Sequence, residues 1–209
     1  MNRGSKQNSR ESSLVLLLAG GSASRFGSDK RREIIDEEKM LIEKTISQYT
    51  NVDLEVLVCL SARGEDDSLE EYLREKSVEC LRCGRANEGM GGTLAQSAAA
   101  IGDVSKLVIA LADMPALLPS TVLTLLEHAD SEHIVYPVYE AKRGHPVVFG
   151  GRFLPLIKLL SGDRGASKLL EENAARCVAV EVDDPGVLLD VDTPEDLRRL
   201  KGFLQARSS

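Results

Sequence analysis

The chain has 209 residues, 43% of them hydrophobic and 28% charged, which is typical of a folded soluble protein and excludes a disordered or fibrous chain. Its 26 Lys and Arg against 33 Asp and Glu give a formal net charge of −7, which disfavours bulk attraction to nucleic acid or to anionic lipid. Any anion that the protein binds must therefore be held by a local group of cations.

The N-terminal segment Met1–Ser13 is polar and has no apolar period, so we expect it to form a flexible tail. The apolar run Leu14–Ala19 is far shorter than the roughly 20 residues that a transmembrane helix needs. It also falls short of the roughly 7 to 15 apolar residues of a secretory signal, although basic residues precede it. Since 4 cysteines are too few for a disulfide scaffold at this length, we expect a reducing, cytoplasmic location.

Short runs that are apolar on both faces alternate along the chain with segments of helical spacing. The apolar runs predict buried parallel strands over Leu14–Leu18, Leu54–Leu60, Lys106–Leu111 and Ile134–Val138. The helical spacing predicts helices around Met40–Ile46, Leu69–Leu73, Val122–Leu126 and Leu154–Leu160, with a further helix over Ser167–Glu172. This alternation predicts a three-layer α/β/α sandwich around a Rossmann-like, mostly parallel sheet, built by one domain over residues 14–209. Ligands of such sheets bind at the carboxyl ends of the strands.

A glycine-rich and cationic segment follows the first predicted strand. Small residues there let the backbone approach a ligand closely, and successive N–H groups can form an anion-binding nest. Arg25 and Lys30 add two positive charges to it. The segment is neither a Walker loop nor a G-x-G-x-x-G motif, so a nicotinamide-dependent dehydrogenase is disfavoured. The alternative is a structural Gly-rich turn with solvated basic residues. Arg31 and Arg32 could extend the basic rim of the site, but a charge run of this kind is usually a solvated face, and we favour that interpretation.

Two aspartates follow apolar stretches that end near the predicted ligand-binding edge. Asp113 comes after Lys106–Leu111, and Asp190 comes after Val187–Leu189. Carboxylates brought together from different strand ends repel each other unless a cation lies between them, and Mg²⁺ favours such sites. We therefore predict that Asp113 and Asp190 bind Mg²⁺. The alternative for Asp113 is a loop carboxylate bonded to its own backbone.

Two other patterns allow both a functional and a structural interpretation. Cys80 and Cys83 form a C-x-x-C pair, but without a second Cys or His pair we favour small buried residues over metal or redox use. Asp192 is either part of the acidic site or the cap of a helix that begins at Thr193 and Pro194.

Four segments occur in the order and rough spacing of one known family: Leu18–Lys30 (Leu-Ala-Gly-Gly-x-Ser-x-Arg-x-Gly-x-x-Lys), Gly89–Leu94, Ala112–Pro115 and Asp190–Leu197. Through them the chain resembles, from Leu14 to Leu200, the MobA-like nucleotidyltransferases, which attach a nucleoside monophosphate to molybdenum cofactor. Gly144-His145-Pro146 and Gly162–Ala166 resemble the cytidylyltransferase branch, whereas Gly21 resembles the guanylyltransferase branch. Both CTP and GTP stay open, and CTP is favoured.

The resemblance implies roles for individual residues. The nucleoside contacts would come from Leu18, Ala19, Gly20 and Gly21, and from Gly91 and Thr93 in a loop over Gly89–Leu94. Arg25 and Lys30 would hold the triphosphate and form the catalytic set with Asp113, because phosphoryl-type transfer depends on positioning and charge neutralisation. His145 and Asp192 would lie near the second substrate, with a structural role as the alternative for His145.

The resemblance also implies the reaction and the partners. A phosphate of a molybdopterin-type substrate would attack the α-phosphorus of CTP or GTP, with Mg²⁺ as cofactor and pyrophosphate as product. Contact with a molybdoenzyme or its chaperone would be transient, and neither nucleic acid nor membrane is expected. Two other functions stay open: transfer to a sugar or polyol phosphate, and non-catalytic delivery of nucleotide or cofactor to a partner. The family usually has Pro where Asp29 precedes Lys30 and a Gly-rich turn where Arg31–Lys39 follows, which puts the rim for the second substrate in doubt.

Overall fold

The computed structural model describes residues 12–20, 26, 28–36 and 39–208. The strands are β1 (Ser13–Leu18), β2 (Ile34–Asp36), β3 (Lys39–Met40), β4 (Glu55–Ser61), β5 (Glu79–Cys83), β6 (Lys106–Leu111), β7 (Ile134–Tyr139), β8 (Lys142–Arg143), β9 (Val147–Gly150) and β10 (Cys177–Glu181). The α-helices are α1 (Leu41–Thr50), α2 (Asp67–Glu75), α3 (Met90–Ala100), α4 (Pro119–His128), α5 (Leu154–Ile157), α6 (Ser167–Glu172) and α7 (Pro194–Ser208). Two short 3-10 helices, Lys30–Arg32 and Pro185–Leu188, also matter for the site.

The main sheet has the strand order β10-β7-β9-β6-β1-β4-β5, and β8 pairs with β7. Neighbouring strands are parallel, except that β9 runs antiparallel to both β6 and β7 and β8 runs antiparallel to β7. In the register, Leu18 at the end of β1 lies beside Cys59 of β4 and Leu111 of β6. The carboxyl ends of three central strands therefore meet at one edge, where a ligand site is expected.

Helices cover both faces of this sheet. Side chains alternate along β1, so that Val15 and Leu17 pack on one face while Leu16 packs on the other, and all three are fully buried. Helices α1, α2 and α4 contribute to the first core, and α3, α5 and α6 contribute to the second. The predicted three-layer α/β/α fold is confirmed.

Helix α7 closes a smaller cluster that contains Leu197, Leu200, Val191 and Leu41. Near its end, Arg207 donates to Asp184 Oδ1 at 3.0 Å and to the Ala116 carbonyl at 2.7 Å, so the helix is tied to the body of the sheet. Among the residues described, no helix combines the length and the apolarity that crossing a membrane requires.

The predicted elements agree with the structure where the sequence pattern is strong. The four predicted strands correspond to β1, β4, β6 and β7, and the helix over Ser167–Glu172 has the predicted bounds. Of the predicted tail, residues 1–11 lie outside the described residues, and Ser13 already belongs to β1. Strand β5 was not predicted, because an edge strand with Glu79 and Arg82 lacks a continuous apolar run.

Three predictions of local structure were wrong. The stretch Val187–Leu189 is not a strand but overlaps the 3-10 helix Pro185–Leu188, because a short apolar run fits either structure. The segment Gly89–Leu94 is not a loop, since α3 begins at Met90. The helix predicted up to Leu160 ends at Ile157, and Leu159 is 80% exposed.

Candidate active site

A cavity of about 580 Å³ lies at the carboxyl ends of β1, β4 and β6. Its lining combines apolar groups with cations and carboxylates, and it includes Leu18, Gly20, Asp29, Lys30, Arg31, Ser61, Arg63, Gly89, Met90, Thr93, Asp113, Asp163 and Asp192. The volume suits a ligand of drug or nucleotide size. The predicted ligand-binding edge therefore does carry a cavity.

The end of β1 forms the floor of this cavity and is held from both sides. Ala112 donates its backbone N–H to the Leu18 carbonyl at 3.0 Å, and Ala19 donates its own to the Cys59 carbonyl at 2.9 Å. A Cβ on Gly20 would lie 3.2 Å from the backbone nitrogen of Ser61, so the chain passes close to β4 at this point. Leu18 and Gly20, two of the residues predicted to contact the nucleoside, line the cavity. The predicted site residues Gly21 and Arg25 lie outside the described residues.

Three carboxylates converge beside this floor. Val191 donates its backbone N–H to the Asp113 carbonyl at 3.0 Å, which brings the segment before α7 against the end of β6. One oxygen each of Asp113, Asp190 and Asp192 lies within 4.8 Å of the others. The structure therefore brings the two predicted metal ligands together, although Asp190 follows a 3-10 helix rather than a strand.

Lys30 lies directly against these carboxylates. Its Nζ donates to Asp113 Oδ2 at 2.8 Å, to Asp192 Oδ1 at 2.9 Å and to the Val191 carbonyl at 2.6 Å. The lysine starts the 3-10 helix Lys30–Arg32, which the Asp29 carboxylate caps by accepting the Arg31 N–H. Lys30 is thus held by residues that lie 83 to 162 positions further along the chain.

The charges of this cluster perturb one another. Desolvation and the negative charge of Asp113 raise the pKa of Asp190 above its ordinary value, and Asp192 adds to that effect. Burial lowers the pKa of Lys30, but Asp113 and Asp192 outweigh it, so the pKa is raised overall. Among the residues described, Asp113 Oδ1 is buried and accepts no hydrogen bond. The cluster has more acceptor capacity than Lys30 alone uses.

Asp192 is not the cap of α7. Thr193 Oγ1 accepts the Asp196 N–H at 3.2 Å, and Asp196 Oδ2 in turn accepts the Thr193 N–H at 2.9 Å. This reciprocal pair is a capping box with Asp in the place of Glu. The Asp192 side chain instead faces Lys30, so the structure places it in the acidic site.

Arg31 is a buried part of the site that the sequence interpretation missed. Its guanidinium donates to the Ala19 carbonyl at 2.6 Å, to Asp29 Oδ1 at 2.7 Å and to Asp66 Oδ1 at 2.5 Å. The Asp66 side chain is 3% exposed and also accepts the Ser61 N–H. The interpretation of Arg31 as a solvated residue was therefore wrong. One signal of this role was available in the sequence, because the family usually has a Gly-rich turn where this chain has Arg31–Lys39.

The glycines at the start of α3 are required by packing within the protein. Gly89 has φ +86°, and a Cβ there would lie 2.1 Å from Asp163 Oδ1. Gly91 packs against Ser161 and donates its N–H to the Gly162 carbonyl at 2.8 Å. Of the two predicted contacts in this motif, Thr93 lines the cavity, while the Gly91 N–H is already used within the protein.

A second cavity of about 240 Å³ adjoins the first, and Met90, Leu111 and Asp163 line both. Its other walls are mostly apolar and include Leu94, Ile109, Val147, Phe149 and Leu170, with Arg143, His145 and Arg164 as the basic groups. His145 Nδ1 is buried, and among the described residues it has no partner. Burial lowers the pKa of His145 below its ordinary value, and Arg143 acts in the same direction, so the ring is neutral near pH 7.

The C-x-x-C pair forms no joint site. Cys80 and Cys83 both lie on β5, where an odd separation puts side chains on opposite faces. Cys80 packs on the core of one face, and Cys83 packs in the core of the other. The structural interpretation of these cysteines agrees with this arrangement.

The sequence matches the family model described as MobA-like NTP transferase domain over residues 15–178. A probable molybdenum cofactor guanylyltransferase of Thermococcus sibiricus is 25% identical over 200 residues, which cover 91% of this chain and 98% of that protein. A nicotine blue oxidoreductase of Paenarthrobacter nicotinovorans is 25% identical over 194 residues, which cover 88% of this chain and 94% of that protein.

Solved structures with the same fold include a nucleotidyl transferase of Methanothermobacter, Mth528. Its TM-score is 0.81 at 20% identity, with 95% of this chain and 99% of that chain covered. The Mycobacterium tuberculosis protein Rv0371c in complex with manganese has a TM-score of 0.72 at 21% identity, with 91% and 98% covered. At these identities the likeness shows the fold alone.

Proposed function

This chain belongs to the MobA-like NTP transferase family, and on that premise we propose that it transfers CMP or GMP from CTP or GTP to a molybdopterin-type acceptor, releasing pyrophosphate. Family and fold support nucleotidyltransferase activity, while the nucleobase and the acceptor are the proposed part. One observation carries the proposal: Lys30, Asp113 and Asp192 meet at the wall of a nucleotide-sized cavity beside the end of β1, and Asp190 completes their acidic cluster.

The acidic cluster fits a divalent ion, which we propose to be Mg²⁺. Three carboxylates lie within 4.8 Å of one another, and Asp113 Oδ1 is a buried acceptor with no partner in the described part of the chain. Oxygen ligands of this kind are those that Mg²⁺ prefers. Asp113 and Asp190 would hold the ion, with Asp192 beside them, and when bound it would neutralise negative charge on the triphosphate. The manganese complex of Rv0371c supports a divalent ion in this fold.

The side chains of the site supply positioning and charge. Lys30 brings a permanent positive charge to the cavity wall, where a triphosphate oxygen would accept its N–H groups. Leu18 and Ala19 hold the floor in place through backbone hydrogen bonds to Ala112 and Cys59, so that a nucleoside would meet a fixed surface. Gly20 packs closely against Ser61 at the end of β4. No general base is required, because a phosphate nucleophile is already ionised near pH 7.

The second cavity is the proposed acceptor site. It shares walls with the first, so a molecule seated there would reach the acidic cluster. Its apolar walls suit a flat ring system, and the unpartnered His145 Nδ1 offers one hydrogen bond to such a ring. Arg143 and Arg164 supply positive charge for a phosphorylated acceptor.

The test is an acceptor screen with the purified protein, Mg²⁺ and either CTP or GTP labelled at the α-phosphate. We expect labelled product and pyrophosphate with molybdopterin and one of the two nucleotides, and none with Asp113→Asn. The exposed Asp103 lies outside the site, so Asp103→Asn is the matched control and should stay active. Turnover with a sugar or polyol phosphate but not with molybdopterin would contradict the proposed acceptor. Nucleotide binding without any pyrophosphate would instead favour a non-catalytic carrier.

A further inference from the structure

Lys30 uses its whole hydrogen-bonding capacity on the acidic cluster. An ammonium group has three N–H donors, and Lys30 Nζ has three acceptors between 2.6 and 2.9 Å, of which two are carboxylate oxygens. Its side chain is 17% exposed, so water competes little for these donors. The lysine therefore occupies Asp113, one of the two carboxylates that would hold the divalent ion, and Asp192 beside them.

Two cations cannot share these oxygens without strong repulsion. Asp113 Oδ1, the oxygen that Lys30 leaves without a partner among the described residues, belongs to the same carboxylate as the Oδ2 that the ammonium contacts. An ion on Oδ1 would therefore lie within a few ångströms of the ammonium, where like charges repel strongly in a partly buried site. The ion therefore binds well only when Lys30 leaves. Lys30 lines the cavity, so the triphosphate of a bound nucleotide would offer the lysine a new set of acceptors.

We infer that Lys30 stands in for the divalent ion in the nucleotide-free protein, and that a triphosphate draws the lysine away and so opens the carboxylates to the metal. The inference rests on the proposed nucleotide binding. It makes metal and nucleotide bind as a pair, each strengthening the other by the same factor. It also assigns to Lys30 a positioning role in the empty site, beyond contact with phosphate.

The test is Mn²⁺ binding to the nucleotide-free protein, measured by electron paramagnetic resonance and titration calorimetry. Removing the competing charge in Lys30→Met should tighten Mn²⁺ binding by about 10-fold or more, within the usual range of coupling between two sites. Lys30→Gln is a second neutral variant with the same expectation, and Lys30→Arg should bind Mn²⁺ as weakly as the unmodified protein. Lys44→Met is the matched control, because Lys44 pairs with Asp36 outside the site.

A non-hydrolysable nucleotide supplies phosphate ligands to Mn²⁺ in both proteins, so it should tighten Mn²⁺ binding in both, but by a larger factor in the unmodified protein than in Lys30→Met. Unchanged or weaker Mn²⁺ binding in both neutral variants without nucleotide would overturn the inference. The Mn²⁺ assay contains no acceptor and measures no turnover. Its result therefore does not depend on whether the acceptor screen succeeds. Conversely, pyrophosphate release together with unchanged Mn²⁺ affinity in the neutral variants would reject the inference alone.

Discussion

Replacing Arg31 with Met tests whether this buried guanidinium holds the nucleotide side of the cavity together. Met keeps an unbranched apolar stem and removes the charge and all donors. The Ala19 carbonyl, Asp29 and Asp66 then each lose a partner. The Asp66 side chain is 3% exposed, so its carboxylate stays buried with the Ser61 N–H as a remaining donor.

The expected loss follows from leaving a buried charge without its partner. Breaking such a pair from one side typically costs about 3–5 kcal/mol of the free energy of unfolding. With a urea m-value of about 2–3 kcal/mol per molar, the unfolding midpoint should fall by about 1–2.5 M. Arg32→Met is the matched control: Arg32 is 31% exposed and its bond to Ser68 is at the surface, so the expected loss is below about 1 kcal/mol.

The assay is urea unfolding followed by far-ultraviolet circular dichroism, because the chain has no Trp for fluorescence. Asp66→Asn in the Arg31→Met background removes the unpaired charge and should recover part of the midpoint, so that the double variant loses less stability than the sum of the two single variants in the double-mutant cycle. Equal midpoints for Arg31→Met and Arg32→Met, or no recovery in the double variant, would refute the role assigned to the buried pair.

Three further outcomes are expected. Asp113→Ala should lower pyrophosphate release by at least about 10²-fold while the circular dichroism spectrum stays native, and a smaller effect would remove Asp113 from the catalytic set. His145→Phe should raise the KM for the acceptor by about 10-fold through loss of one hydrogen bond and leave the nucleotide Kd unchanged; a changed nucleotide Kd would place His145 elsewhere. Gly186→Ala should lower the free energy of unfolding by about 1–3 kcal/mol in the same urea assay, because a Cβ there would lie 2.3 Å from the Ala116 carbonyl oxygen. Leu159→Ser is the control at an 80% exposed position, and it should change the free energy of unfolding by less than about 0.5 kcal/mol.

The parts of the fold that could be predicted are those fixed by local pattern. Strand β1 is apolar from Leu14 to Leu18 because both faces of the strand are covered, and such a run is visible in the sequence. Asp113 could be placed at the ligand-binding edge because it directly follows β6, and parallel strands end at a common edge. Asp190 lies at the same edge because the backbone N–H of Val191 donates to the Asp113 carbonyl, and the apolar pattern of the sequence does not indicate that hydrogen bond.

What could not be predicted depends on partners far away along the chain. Arg31 is buried because Asp66 lies opposite it, 35 residues later, and no local pattern signals that pairing. Gly89 and Gly91 have no side chain because the segment around Ser161–Asp163 passes against them, a contact that only the folded chain defines. Sequence pattern alone therefore favoured a ligand-binding interpretation for glycines that also serve packing.

Because β1 lies in the middle of the sheet, the floor of the cavity is protected from local unfolding at the sheet edge. Leu16 and Leu17 are fully buried, and β1 has hydrogen-bonded neighbours on both sides, so its amide protons should exchange with deuterium only through global opening. The edge strand β5 has a neighbour on one side and should exchange earlier. The residues that form the floor of the cavity directly follow β1, the strand expected to exchange most slowly. Local opening of the edge strand β5 should therefore leave the geometry of the floor intact.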